Sequence, residues 1–280
     1  MSWTESVYLD CVSPDGATGF VARLARHVDE GTAWLWAHAF QPGEVVAFHD
    51  QSLPCAGGPT AVDEPDVAYE LPGSPRASFR RHGPRGETTG ADLDAEVLAH
   101  RDPYAPAGAG DTPLRIEARF TPLRAAGGTL PGRTEVLGEV TGHVWIDGQQ
   151  HTVAGGAQWH EQHQTEPRFT VPFTYATLRG DGAGAVLVCG PRRSGGLLWR
   201  GPEPEPIVEV RLDAPGPERE LVCRLDGGDT VAGRLTTAHD YAVQINGHPR
   251  PGTLVAGELA GAPVSGCVNH FAAVTEPARR

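Results

Sequence analysis

Short strand-like segments recur along the whole chain, and they constrain its fold more than any other feature. They come roughly every ten residues and are separated by turns rich in Gly, Pro and Asp. The 36 glycines and 25 prolines suit many short strands joined by turns. Asp147-Gly148 between two such segments predicts a hairpin, and a helical period is visible only weakly, over 91–99. We therefore predict an all-β fold of antiparallel sheets, arranged as barrels or sandwiches.

A loop-like stretch near the middle predicts two lobes. Residues 125–133 read Ala-Ala-Gly-Gly-Thr-Leu-Pro-Gly-Arg, a composition typical of a linker or wide turn. We place the boundary there, with an N-terminal β lobe over 1–128 and a C-terminal β lobe over 129–280. A chain of 280 residues is long enough for each lobe to bury a core.

Composition excludes several functions. The formal net charge of −12 argues against nucleic acid or an anionic membrane as a partner. No apolar run has the length of a membrane span and no basic leader is visible, so we expect no membrane insertion and a cytoplasmic location. Lysine is absent, which excludes Schiff-base chemistry and a P-loop lysine. The five scattered cysteines indicate reduced thiols, and the arginine, alanine and glycine bias is typical of a GC-rich bacterial genome. The oligomeric state stays open.

One segment, 155–164, is unusually polar for a strand. On a strand, Trp159, Glu161 and His163 share one face, while Gln158 and His160 lie on the other. If the first face is internal, it offers an acid, a base and an aromatic wall, and burying polar groups on both faces is costly unless they are satisfied or used. The alternative is an exposed edge strand, whose polar residues prevent aggregation.

The two histidines of this segment do not form a zinc motif. His160 and His163 are three residues apart, whereas the zincin motif has four and lies on a helix. On a strand their rings point to opposite faces. We therefore predict no metal site, although one histidine with distant ligands stays an alternative.

Two aromatic strands are candidates for lining a cavity. Trp36 and His38 share a face of the segment 32–40, where core packing is the alternative to a ligand wall with His38 as polar anchor. Tyr175 follows the polar segment closely enough to be its hairpin neighbour and to approach Glu161; a core tyrosine with a satisfied hydroxyl is the alternative. The prediction is an interior cavity bounded by Trp159, Tyr175 and the 32–40 strand.

Three separate stretches resemble a known family. The run 140–148 (Val-Thr-Gly-His-Val-Trp-Ile-Asp-Gly), followed by 151–156 and by Trp-His-Glu-Gln-His-Gln at 159–164, is similar to the lipocalin-like proteins related to carotenoid 1,2-hydratase and natural-product cyclases. The closing stretch 257–269 and the opening Glu-Ser-Val-Tyr-Leu-Asp at 5–10 also resemble them.

The resemblance implies two calycin-like β lobes, an apolar cavity and no cofactor. Family members hydrate alkenes or cyclise natural products by moving protons on a hydrophobic substrate. Carried onto this chain, the acid is Glu161, its partner His163 and the wall Trp159. Many family patterns place Asp directly before His, whereas Gln162 separates Glu161 from His163 here.

Together these observations predict a cofactor-independent cyclase, hydratase or isomerase that acts on a hydrophobic small molecule by general acid–base catalysis. Desolvation in an apolar cavity would keep Glu161 protonated near neutrality, ready to donate a proton, with His163 as its partner. Trp159, Tyr175, Trp36 and His38 would bind the substrate. The alternatives are a non-catalytic carrier of a lipophilic ligand and a hydrolase whose water is activated by Glu161 and His163. We expect Glu161→Gln to preserve the fold and abolish turnover.

Overall fold

The computed structural model describes residues 4–61, 63–124, 127–128, 132–164, 171–245 and 248–271. Apart from a single 3-10 turn at Val28–Glu30, its regular structure consists of strands. In chain order these are β1 Thr4–Val12, β2 Gly19–His27, β3 Thr32–Gln41, β4 Glu44–Pro54, β5 Asp66–Leu71, β6 Arg76–His82, β7 Gly90–Ala99, β8 Thr112–Pro122, β9 Arg133–Ile146, β10 Gln149–Gln164, β11 Phe173–Arg179, β12 Gly184–Cys189, β13 Ser194–Trp199, β14 Pro204–Leu212, β15 Glu218–Leu225, β16 Thr230–Ile245, β17 His248–Leu259 and β18 Ala262–Phe271.

The strands form one curled sheet and one closed barrel. The sheet has ten strands in the order β4-β3-β2-β1-β10-β9-β8-β7-β6-β5, and bridges such as Ala47 to His100 bring β4 close to β7. The barrel has eight strands, β11 to β18 in sequence order, and closes through antiparallel pairing of β11 with β18. The predicted all-β fold with antiparallel sheets is confirmed. No helix in the described ranges is long and apolar enough to cross a membrane.

The structure confirms the hairpin predicted at Asp147-Gly148 and contradicts the weak helical period over 91–99. Asp147 and Gly148 both have positive φ angles (52° and 77°) and join β9 to β10, which confirms the predicted hairpin. The weak helical period over 91–99 is wrong. This segment is β7, because its buried positions alternate with period two and its apolar face packs into the core.

The sheet changes later in the chain than the linker-like composition at 125–133 suggests. Both β9 and β10 follow that stretch, yet they pair with β8 and β1 of the ten-stranded sheet. The chain passes to the barrel between Gln164 and Phe173. The first sheet is therefore completed by strands that lie beyond residue 128, whereas the division into 1–128 and 129–280 assigns them to the second lobe.

Apolar side chains form separate cores inside each lobe and further clusters between them. The inner face of the curled sheet holds residues such as Leu9, Phe79 and Trp159, and the barrel interior holds Leu178, Leu221 and others. Between the lobes, side chains from both pack together in a cluster of Tyr8, Val12, Val21, Trp36, Phe40, Tyr241, Val243, Ile245, Leu254 and Cys267. Strand β10 lies at the centre of this arrangement, with one face toward the sheet interior and one toward the barrel.

Candidate functional site

The polar segment of the sequence lies in β10, a central strand. It pairs with β1 from Gly156 to Gln164 and with β9 from Gln149 to Gln162. Glu161 and Trp159 are each 1% exposed. The edge-strand alternative is therefore wrong, and the polar groups of β10 must find partners inside the protein.

On the inner face, Glu161 receives three donors. The Trp159 indole donates to its Oε1 at 3.0 Å, and the Tyr69 hydroxyl donates to its Oε2 at 3.0 Å. The Arg81 guanidinium lies 2.7 Å from Oε1, and both side chains of this ion pair are excluded from solvent. A permanent cation and two neutral donors stabilise the carboxylate anion. This ion-paired environment differs from the purely apolar pocket that the sequence suggested.

The same contacts define the direction of a short hydrogen-bond chain. The Tyr69 hydroxyl also lies 3.3 Å from Nε2 of His163. A carboxylate only accepts hydrogen bonds, so the single hydroxyl proton of Tyr69 points to Glu161. Nε2 of His163 must then donate to Tyr69, and Nδ1 is the basic nitrogen of that ring. The chain of donors runs from His163 through Tyr69 to Glu161.

His163 is neutral at physiological pH. Burial, and then the positive charges of Arg85 and Arg81, lower its pKa from 6.5 to about 4. Burial of the Tyr69 hydroxyl, together with the nearby Glu161 carboxylate, raises the pKa of Tyr69. His163 is 8% exposed, whereas Tyr69, Arg81 and Glu161 are each 1% exposed. The chain therefore leads from a fully buried ion pair outward to a neutral imidazole.

A second buried ion pair flanks this chain. Glu5 of β1 lies opposite His163 of β10 in the strand register. Its carboxylate contacts Nη1 of Arg26 at 2.5 Å and accepts the Thr60 backbone N–H at 2.9 Å. This buried pair therefore lies on the strand next to His163, and its two charges offset one another.

The opposite face of β10 forms a different network, against the barrel. Gln158 donates to the Tyr175 hydroxyl at 2.6 Å, and Tyr175 donates to Glu135 at 2.8 Å. Nδ1 of His160 accepts a hydrogen bond from Arg133 at 3.0 Å, since a guanidinium can only donate. Burial and this arginine lower the pKa of His160 well below its usual value. These groups are satisfied by one another and join the two lobes.

A comparison with protein families identifies the N-terminal part of the chain. A family model described as "Domain of unknown function (DUF7064)" matches residues 1–160, more than half of the sequence. The chain belongs to the DUF7064 family. The match covers β1 to β9 and β10 as far as His160. A sequence comparison with curated proteins gives no significant match.

Solved structures with the same fold include a hydratase. The crystal structure of CghA with Sch210972 aligns with a TM-score of 0.64 at 11% identity, covering 97% of the DUF7064 chain and 89% of CghA. Kievitone hydratase from Nectria haematococca aligns with a TM-score of 0.56 at 11% identity, covering 97% and 88%. At these identities the likeness shows the fold, and it confirms the two-lobe lipocalin-type architecture that the resemblance implied.

The sequence-predicted site residues of this DUF7064 protein do not meet in one place. Trp159, Glu161 and His163 lie together on the inner face, as predicted. Tyr175 lies on the other side of β10, because β10 pairs with β9 and β1 and not with β11. The predicted approach of Tyr175 to Glu161 is therefore wrong.

The remaining two predicted residues pack at the interface between the lobes. The guanidinium carbon of Arg23 lies 4.5 Å from the ring centroid of Trp36. The ring centroids of His38 and of Tyr241, a barrel residue, are 5.4 Å apart. Burial lowers the pKa of His38 to about 3. The prediction of one cavity bounded by Trp159, Tyr175 and the 32–40 strand is therefore wrong. Trp159 faces the interior of the sheet, whereas Tyr175, Trp36 and His38 lie between the sheet and the barrel.

A cavity of about 960 Å³ opens between the sheet and the barrel, and none of the six predicted residues lines it. Its walls include Gly156 in the middle of β10, together with Arg179 and Ser265.

The sequence analysis missed Tyr69 and Arg81, which complete the Glu161 site. Both lie on the buried face of their strands, where Tyr69 alternates with Val67 and Leu71 and Arg81 follows Ala77 and Phe79. A charged residue in an otherwise apolar alternation is a signal that could have identified Arg81. No group of three or more His, Cys, Asp or Glu side chains within the described part of the chain is arranged to hold a metal ion. The prediction of a metal-free and cofactor-free site stays a prediction.

Proposed function

We propose that this DUF7064 protein is a cofactor-independent enzyme of the hydratase or cyclase type, acting on a hydrophobic small molecule. The observation that carries the proposal is the chain from Glu161 through Tyr69 to His163, with hydrogen-bond distances of 3.0 and 3.3 Å. It couples a buried carboxylate to a buried imidazole, an arrangement suited to general-base catalysis. The fold shared with kievitone hydratase supports a reaction of this class.

His163 is the base in this proposal and Glu161 the group that stabilises it. When Nδ1 takes a proton, the ring becomes an imidazolium whose Nε2–H already points to Tyr69. The Glu161 carboxylate then stabilises the new positive charge through Tyr69, as a triad carboxylate does for its histidine. This reverses the sequence-based hypothesis, in which Glu161 donates the proton, because the Glu161 carboxylate is ion-paired with Arg81.

The charges around His163 favour an electron-poor substrate. Arg85 and Arg81 both act on His163, and Arg85 is partly exposed while it donates to the Gly132 carbonyl at 2.6 Å. A guanidinium at this position would stabilise an enolate oxygen. We therefore propose a hydrophobic α,β-unsaturated ketone as substrate. Water, or a hydroxyl of the substrate itself, adds to the β-carbon and gives its proton to His163. The electron pair of the double bond moves to the carbonyl oxygen, and His163 returns the proton to the α-carbon.

The experiment is a turnover screen with a panel of hydrophobic aryl enones in water enriched with ¹⁸O. Mass spectrometry detects addition of labelled water, and chromatography detects cyclised isomers of hydroxylated panel members. We expect His163→Gln and Tyr69→Phe to lower the rate by about 10²–10⁴-fold, the usual contribution of a positioned proton-transfer group. His143→Gln on β9 is the matched control, since His143 bonds only Gln150 at the surface and should leave the rate unchanged.

Two results would contradict the proposal. Undiminished turnover in His163→Gln would remove this residue from the mechanism. Compounds that quench tryptophan fluorescence on binding, yet are all recovered chemically unchanged, would favour the carrier of lipophilic ligands.

A further inference from the structure

One end of the C-terminal barrel contains a buried arginine that the proposed function does not use. Arg219 begins the inward-facing row of β15 that continues with Leu221 and Cys223 in the barrel core. It is 1% exposed. Its neighbours at this end are the inward-facing polar side chains of Thr174, Thr253 and His270.

All partners of the Arg219 guanidinium are neutral. Nη1 lies 3.1 Å from Nε2 of His270, and Nη2 donates to Thr253 at 2.8 Å and Thr237 at 3.3 Å. Its Nε–H is buried and has no hydrogen-bond partner in the described residues. Asp240 acts on Arg219 only over a longer distance and is itself exposed. Within the described ranges, no carboxylate forms an ion pair with this guanidinium.

Four other arginines of the chain have a carboxylate partner. Each contacts a carboxylate within 2.7 Å, in the pairs Arg26–Glu5, Arg81–Glu161, Arg133–Glu135 and Arg179–Asp10. Arg23 has no such partner in the described residues, and its guanidinium stacks on the Trp36 ring instead. A buried cation without a counter-ion is unfavourable, because desolvation is not offset by an opposite charge. Among the described residues, neither a carboxylate nor an aromatic face offsets the charge of Arg219 at the end of the barrel.

His270 is a neutral partner of Arg219 and supplies no negative charge. Its Nε2 faces Arg219 and accepts, so its Nδ1–H donates to Thr174 at 2.9 Å. Burial and Arg219 lower its pKa to about 4, so the ring is neutral at physiological pH. His270 and Thr174 are partly exposed, and the exposed Arg192 and Arg193 lie in the turn that follows β12 at this end. The end of the barrel is thus reachable from solvent at its polar rim.

We propose that Arg219 binds a monocarboxylate at this end of the barrel, with Thr174, Thr253 and His270 completing the polar site. A single negative charge matches the single buried cation, and the planar guanidinium fits a carboxylate group. The two threonine hydroxyls can rotate to donate to its oxygens. The carboxylate belongs either to a small free acid or to the head group of an amphiphilic ligand. The site is independent of the Glu161 network in the first sheet.

The test is a titration of the whole protein with sodium acetate at constant ionic strength, followed by the NMR signals of the His270 ring. We expect a saturable shift confined to His270 and its neighbours, together with a rise in the pH at which His270 titrates, because a bound anion favours the imidazolium. Arg219→Met should weaken acetate binding at least tenfold. Arg234→Gln is the matched control, since it removes an exposed arginine from the neighbouring strand and should leave binding unchanged.

Titrations with other anions identify the source of the carboxylate and show which results would overturn the proposal. Octanoate binding at least tenfold tighter than acetate indicates an amphiphile, and equal affinity indicates a free acid; both support the proposal. Saturable binding of phosphate but not acetate overturns it. So does the absence of a His270 shift at roughly 100 mM acetate, which would saturate a site with a dissociation constant near 1 mM. If Arg219→Met does not fold, the wild-type His270 titration still decides the question.

Discussion

Breaking the buried Arg81–Glu161 pair should destabilise the protein strongly, whichever partner is removed. The 2.7 Å contact is closed to solvent on both sides, so each charge depends on the other. Arg81→Met leaves the carboxylate with the Trp159 and Tyr69 donors, and Glu161→Gln removes the carboxylate that contacts the Arg81 guanidinium. Removing one member of such a pair costs about 3–5 kcal/mol. Glu161→Gln is thus expected to destabilise the fold, contrary to the expectation from the sequence alone.

The double variant separates the ion pair from simple loss of packing. Arg81→Met with Glu161→Gln buries neither charge, while the amide oxygen still accepts from Trp159, so we expect a loss of about 1–2 kcal/mol. The coupling energy between the two positions should then be about 4 kcal/mol or more. Arg200→Met is the control, because the Arg200–Glu205 pair has a similar distance of 2.6 Å but is 41% and 40% exposed. It should cost less than about 1 kcal/mol.

The assay is urea unfolding, followed by the fluorescence of Trp159 and the other tryptophans and by circular dichroism. Stabilities are compared from transition midpoints at equal slopes. A single variant within about 1 kcal/mol of wild type, or additive single changes, would refute the reasoning. It would mean that water or structural relaxation compensates the lone charge.

Two other outcomes follow from the cited geometry. The pKa of His163, lowered from 6.5 to about 4, means that the unfolded chain binds more protons between these values; stability should rise from pH 4 to pH 6.5, and His163→Gln should make that rise of the urea midpoint smaller, while the other histidines whose pKa is lowered keep the rest of it. For the proposed enzyme, the acidic limb of the rate profile should lie near pH 4, and a limb near 6.5 would remove His163 as the base. Gly156→Ala should destabilise the contact between sheet and barrel, since its Cβ would lie 2.9 Å from Cβ of Arg179, and urea unfolding should show it; Gly227→Ala is the control, because no atom is within 4 Å of the added Cβ and its φ is not positive.

The strand pattern predicted the fold class because it depends on local chemistry. Alternating burial, turn residues and the Asp147–Gly148 hairpin are all encoded within a few neighbouring positions. The two faces of β10 followed from the same period of two. The weak helical signal over 91–99 came from Ala, Leu and Glu, which have high helix propensity, but packing against the core decided for a strand.

Partners from distant strands could not be predicted in the same way. Tyr69 and Arg81 lie on β5 and β6 at one edge of the sheet, while Glu161 lies on the central strand β10. They meet only because the sheet curls, and the amount of curl follows from the whole set of packed side chains. The pattern could identify Arg81 as a charge on an apolar face, but not the carboxylate that compensates it.

The polarity of β10 therefore has two different physical explanations. Toward the barrel, Gln158 and His160 are satisfied by Tyr175 and Arg133, and this network fixes one lobe against the other. Toward the sheet interior, the hydrogen bonds run in one direction, from His163 through Tyr69 to the buried Glu161 carboxylate. The network toward the barrel also contains a neutral imidazole, but the His160 ring accepts from an arginine, whereas the His163 ring donates toward a carboxylate. This asymmetry, rather than the number of polar residues, is the reason to test His163 as the reactive group.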